Sequence, residues 1–118
     1  MRMELGPEMS AEIVEGNGEK ELRLQGELCL PALDDLRRFL LEAVNTGIFV
    51  SLRLDQITAS DLGGYQLLCS AHRTFKRRGL RFSANGSTAE FRRAALAAGF
   101  HPECSTCRAR DASCLWSV

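Results

Sequence analysis

Apolar and polar residues alternate most clearly over 48–55. Ile48, Val50, Leu52 and Leu54 interleave with Phe49, Ser51, Arg53 and Asp55, a period of two that predicts a strand with one buried face. Before it, Glu12-Ile13-Val14 and Leu22-Arg23-Leu24-Gln25-Gly26 flank Gly16-Asn17-Gly18, the signal of a hairpin. A helical period takes over next. Pro31 suits a first turn, and Leu33, Leu36, Leu40 and Val44 share a face up to the Asn45-Thr46-Gly47 stop. A second helix is expected from about Gly64 to Arg78, burying Leu67, Leu68, Ala71 and Phe75 and ending at Gly79. Leu80, Phe82 and Ala84 predict another strand. Ser87-Thr88-Ala89-Glu90 has the form of a capping box with Ser87 as the cap, opening a helix of Phe91, Ala94, Ala95 and Ala98 that Gly99 stops.

Helices alternating with strands predict an α/β fold. The expected form is a mixed, largely parallel sheet of four or five strands, with an N-terminal hairpin and helices packed mainly on one face. The chain's 118 residues suffice for one core and not two. Residues 1–11 show weak periodicity and are expected to be loose, 12–100 to form the domain, and 101–118 to pack on it as a Cys-rich tail.

The richest stretch runs from Ile57 to Leu68, where a strand passes through Asp61-Leu62-Gly63-Gly64 directly into an apolar helix. The two glycines permit either φ > 0 or close backbone approach, and the helix start points amide groups outward. Asp61 reads as a helix cap, and it could also meet a cation of a partner. Cys69, beside Leu67 and Leu68, is expected in the core. His72 falls between the two faces of its helix and reads as a half-buried structural residue.

Composition narrows the classes. Apolar residues make up 45% and charged residues 25%, which suits a globular chain. No apolar run reaches the length of a membrane span, and the acidic N-terminus lacks the form of a signal peptide, so a cytoplasmic location without membrane insertion is expected. The net charge is zero, but residues 1–60 carry eleven acids against six bases and residues 61–118 four against nine. The excess cations, Arg73, Lys76 and Arg77 among them, are spaced along helix faces without a basic stripe. That argues against nucleic acid and leaves room for an acidic protein partner. No phosphate loop, dinucleotide fingerprint or nucleophile elbow is present, which argues against an enzyme. Gly63-Gly64 could accept an anion at the helix start.

The order of these pieces resembles the STAS domain family, that of bacterial anti-sigma factor antagonists. The resemblance lies in Leu24-Gln25-Gly26-Glu27-Leu28, the strand Leu52-Arg53-Leu54-Asp55-Gln56-Ile57, the Asp-x-x-Gly turn at Asp61–Gly64, Leu67-Leu68, and Ala97-Ala98-Gly99-Phe100. It implies a non-enzymatic signalling module that binds a partner, a kinase-like anti-sigma factor or a chemotaxis-type regulator, through Ser60, Asp61, Leu62, Gly63 and Gly64. Arg73, Lys76 and Arg77 would be rim charges. It also implies that the residue after the turn's Asp is a serine switched by phosphorylation. Here that residue is Leu62, which has no hydroxyl. Leu62 would then be an exposed apolar anchor or would pack inward; the sequence leaves both open. Family members can also be cytoplasmic subunits of lipid-transport complexes.

The tail holds a second candidate. His101, Cys104, Cys107 and Cys114 offer four ligands that zinc accepts, with one C-x-x-C pair and no second pair. A Cys104–Cys107 redox pair and inert thiols are the alternatives, as is a ligand, metal or redox sensor built on the turn or this tail.

Overall fold

Strand pairing decides the architecture in the computed structural model of the protein, which describes residues 1–100. The strands are β1 (Arg2–Glu4), β2 (Met9–Gly16), β3 (Glu19–Leu28), β4 (Phe49–Ser60) and β5 (Phe82–Asn85); the helices are α1 (Leu30–Thr46), α2 (Leu62–Arg77) and α3 (Ala89–Ala97). One five-stranded sheet runs β1-β2-β3-β4-β5. Its first two pairings are antiparallel and its last two parallel. Parallel neighbours need a crossover, and α1 and α2 supply both. The expected mixed α/β fold is therefore present, with β1 adding a second antiparallel pairing.

The core lies between one sheet face and the helices. Ile13, Leu22, Leu24, Val50, Leu52 and Leu54 from the strands meet Leu36, Leu40, Val44, Leu68 and Phe75 from α1 and α2. Each of these side chains contributes on the order of 1.5–3 kcal/mol by leaving water. The other sheet face is polar and satisfies itself. Arg23 sits 3.6 Å from Glu12 and 3.5 Å from Glu21, and Arg2 donates to Ser10 Oγ at 3.1 Å.

Four local readings need correction. Residues 1–11 are not loose: Arg2–Glu4 forms an edge strand, Leu5 is fully buried, and the Glu27 amide donates to the Glu8 carbonyl at 2.8 Å. Gly26, at φ +116°, makes this approach possible, since a Cβ there would collide with the Glu8 carbonyl oxygen. A three-residue strand is too short to display a period, which is why the sequence hides it. The second helix begins at Leu62, two residues earlier than expected. The third is capped by Thr88, whose Oγ1 accepts from the Phe91 amide at 3.1 Å, while Ser87 Oγ accepts from Arg92. Both Ser and Thr can cap, so only geometry separates them. Finally, Leu33 and Leu67 are half-buried, and burial at the inner positions passes instead to Ala32, Ala43 and Tyr65.

The clearest expected strand continues well past Leu54. Arg23 faces Arg53, but Gln25 faces Gln56, so β4 carries an extra residue at that point. This bulge turns Asp55 and Gln56 outward and brings Ile57 into the core.

Candidate functional site

Leu28 and Ser60 are paired at the carboxyl ends of parallel strands β3 and β4, and the Asp61 amide donates to the Leu28 carbonyl at 3.2 Å. From this shared point α1 and α2 both start, so their N-termini lie side by side. The local chemistry holds α2 there. Asp61 is extended (φ −95°, ψ 179°) and its Oδ1 accepts from the Gly64 amide at 2.9 Å. That capping carboxylate takes the amide that an incoming anion would use and places a negative charge beside it. The turn is thus a poor seat for a nucleotide phosphate.

The glycines serve close approach and not left-handed backbone. Neither Gly63 nor Gly64 has a positive φ. A Cβ on Gly64 would collide with Ser60 Oγ and lie 2.9 Å from the Leu28 carbonyl oxygen, while one on Gly63 would lie 3.0 Å from Leu33 Cδ1. Small residues therefore let α2 press onto the end of β3 and the first turns of α1. Beneath the turn, Tyr65 is buried and packs edge-on against Phe91 at 5.4 Å. Burial pushes its phenol above the ordinary range and the charge of Asp61 adds to that, while a hydrogen bond with Ser60 works against them.

Beside the exposed Asp61, the two helix starts show large apolar side chains to solvent. Leu62, the first residue of α2, is 53% exposed, and Leu30, the first residue of α1, is 75% exposed. The inward-packing alternative for Leu62 does not hold. Further along the two helices, past the turn, a groove of about 250 Å³ is lined by Leu40, Leu41, Val44, Leu67, Ala71 and Phe75 together with Arg37, Ser70 and Thr74. Cys29 caps α1 without a side-chain hydrogen bond. Its thiol is pushed up by partial burial first, then by the charges of Glu27, Asp61 and Glu8.

A family model described as "Mlab, STAS domain" matches residues 14–102. The chain belongs to the STAS domain family. Solved STAS-like folds agree in shape. The anti-sigma factor antagonist SpoIIAA in its unphosphorylated form matches with a TM-score of 0.66 at 17% identity, covering 75% of this chain and 80% of that one. An anti-sigma factor antagonist from Mycobacterium paratuberculosis matches with a TM-score of 0.65 at 13% identity, covering 77% and 78%. No curated protein matches.

Within this STAS domain the expected partner-binding residues do not form one cluster: Gly64 is buried, and the exposed ones are spread along α2. Leu62, Gln66, Ser70, Arg73 and Arg77 follow helical spacing along the outer side of α2. Ser60, Asp61, Leu62, Gly63 and Gly64 gather at its start. Arg73, Lys76 and Arg77 lie about 16–22 Å further on, and Lys76 and Arg77 occupy the last turn, where cations complement the helix dipole. Leu30 and Cys29 belong with the turn and were not among the expected residues. A helical projection offered the signal for Leu30, which falls about 120° away from the buried Leu36. The tail set His101, Cys104, Cys107 and Cys114 lies outside the described residues. Among the described residues no group of three or more His, Cys, Asp or Glu side chains could hold a metal.

Proposed function

We propose that this STAS domain is a non-enzymatic interaction module of a bacterial cytoplasmic regulatory complex. It docks a protein partner through the adjoining N-termini of α1 and α2 and has no serine phosphorylation switch at the turn. The observation that carries the reading is the pair of exposed leucines, Leu30 and Leu62, presented on rigid helix starts at the carboxyl ends of β3 and β4. Anchors of this kind gain most when a partner pocket covers them and excludes water. The family resemblance implies a phosphorylatable serine at the position of Leu62, so in this reading docking is constitutive unless the partner itself is regulated.

Two kinds of partner fit one surface. The first is a kinase-like anti-sigma factor or chemotaxis-type regulator, in line with the two anti-sigma factor antagonists whose fold this chain shares. The second is a membrane-embedded permease complex, with this chain as its STAS subunit; the match to the Mlab model keeps that reading in view. Among the described residues no helix is long and apolar enough to cross a membrane, so such an association would be peripheral.

Affinity capture from native extract, with wild type and Leu62→Asp as baits, tests this. The expected result is a partner retained by wild type and lost with Leu62→Asp, while both baits melt at the same temperature. Its identity then selects between signalling protein and permease. Equal capture by both baits, or none by either, would remove the turn as a docking surface.

A further inference from the structure

The groove between α1 and α2 has its polar and apolar parts sorted. Both helices start side by side at the carboxyl ends of β3 and β4 and run back along the sheet, so residues equally far from the two starts lie at one level. Arg37 lies about 10 Å along α1 from Leu30, and Ser70 about 12 Å along α2 from Leu62. Both line the groove, which places them on its opposite walls, and Leu41, Val44 and Phe75 continue those walls toward the far helix ends. The inner side of α2 is closed. Cys69 and His72 are buried at 3% and 4% exposure, which corrects the expectation of a half-buried His72.

Charge sets the sign of a ligand for this groove. Of the arginines in residues 1–60, Arg2, Arg23, Arg38 and Arg53 each lie within 3.6 Å of a carboxylate. Arg37 is exposed and, among the described residues, is the one of that set without an ion pair, although Asp34 stands one turn before it. No carboxylate lines the groove, and α2 contains no acid. Thr74 Oγ1 already donates to the Ser70 carbonyl at 2.9 Å, so the Ser70 hydroxyl is the donor that remains on that wall. A guanidinium facing a hydroxyl suits a carboxylate, which accepts charge-assisted hydrogen bonds from arginine.

Volume sets the size. A cavity of ~150 Å³ lined by apolar side chains holds benzene, so in proportion a groove of about 250 Å³ holds roughly ten non-hydrogen atoms. That is too small for a nucleotide or a diacyl lipid. We propose that the α1–α2 groove binds a small free carboxylate with an apolar body, its charge between Arg37 and Ser70 and its body along Leu41, Val44 and Phe75. The site lies past Leu30 and Leu62 and does not use them, so it and the docking surface can fail separately.

The test is titration of octanoate, a carboxylate of this size, into the full chain below its micelle-forming concentration, followed by amide NMR shifts. Octanol and octylammonium serve as probes of neutral and opposite charge. Octanoate is expected to give saturable shifts confined to the groove-lining stretches of α1 and α2, and to bind about tenfold tighter than octylammonium. Arg37→Gln should weaken octanoate about fivefold, and Ser70→Ala should weaken it less. Both positions are exposed, so equal melting temperatures are expected for these variants and wild type. Leu62→Asp, which removes a docking anchor, should leave octanoate affinity unchanged. Octanol or octylammonium binding as tightly as octanoate would reduce the groove to a non-selective apolar surface and overturn the proposal. So would unchanged affinity in Arg37→Gln, shifts centred on Leu30 and Leu62, or an absence of saturation.

Discussion

At the scale of single residues, position 64 needs glycine for space and not for flexibility. Gly64→Ala would drive a methyl into Ser60 Oγ and toward the Leu28 carbonyl oxygen and side chain. Two of these obstacles belong to the neighbouring strand end, which cannot retreat without breaking the Asp61-to-Leu28 hydrogen bond. The substitution is expected to cost about 1–3 kcal/mol, read as a fall in melting temperature of several degrees per kcal/mol in a domain of this size. Gly63→Ala should cost less, because its obstacle is the end of a leucine side chain that can rotate. Tyr65 makes a pH prediction. Its folded pKa is raised, chiefly by burial, so the folded state holds the phenolic proton more tightly than the unfolded chain. That contribution is fully present below the ordinary tyrosine value near pH 10 and is lost as pH rises through the raised folded value. Denaturant titrations from pH 8 to 11 should show wild type losing stability above pH 10 more steeply than Tyr65→Phe; identical slopes would refute the assignment.

At the scale of elements, α2 shows what the sequence could and could not state. Its buried face and its Asp61 cap follow from the positions of Leu68, Ala71 and Phe75 and from an acid just before an apolar run, and both are present. Asp61→Ala is expected to lower stability by about 0.5–2 kcal/mol, with Asp61→Asn nearly neutral because its amide oxygen can still accept from Gly64; chemical denaturation of the two variants checks this. The start at Leu62 was harder to see, because glycines usually discourage a helix and here they lie inside its first turn. Tertiary contact with Leu28 and Leu33 overrides that preference. The bulge in β4 was illegible for a different reason. An extra residue interrupts alternation only locally: the shift from Leu54 to Ile57 marks the first irregularity, and a second follows between Gly26 and Glu27. Edge strand β1 was hidden by length alone. The turn as a site could be read from Asp61–Gly64, but its other half could not, since Leu30 is adjacent to Leu62 only through the pairing of β3 with β4.

At the scale of the whole molecule, that pairing decides which surface can dock. The open sheet face is large, but its charges are already engaged, with Arg23 held by Glu12 and Glu21 and Arg2 bonded to Ser10. A partner binding there would have to displace these contacts and desolvate the charges, for little net gain. The α1–α2 end asks for no such exchange. Its exposed leucines have no polar groups to strip of water, and further along the helices the groove adds Leu41 and Leu67 to the apolar surface. Along α2 the track ends in cations, and α2 itself contains no acid. A partner lying along the helix would place apolar side chains at Leu62 and acidic ones near Arg77, which fixes its direction. Leu30→Asp is therefore expected to weaken partner affinity at least tenfold, equal to about 1.4 kcal/mol, and Arg77→Glu to weaken it less and chiefly at low salt. Arg23→Glu on the sheet face should leave affinity unchanged. Titration calorimetry of the purified partner at two salt concentrations separates these outcomes. If Leu30→Asp binds like wild type while Leu62→Asp does not, the contact is confined to α2, and the shared helix start serves the fold rather than the partner.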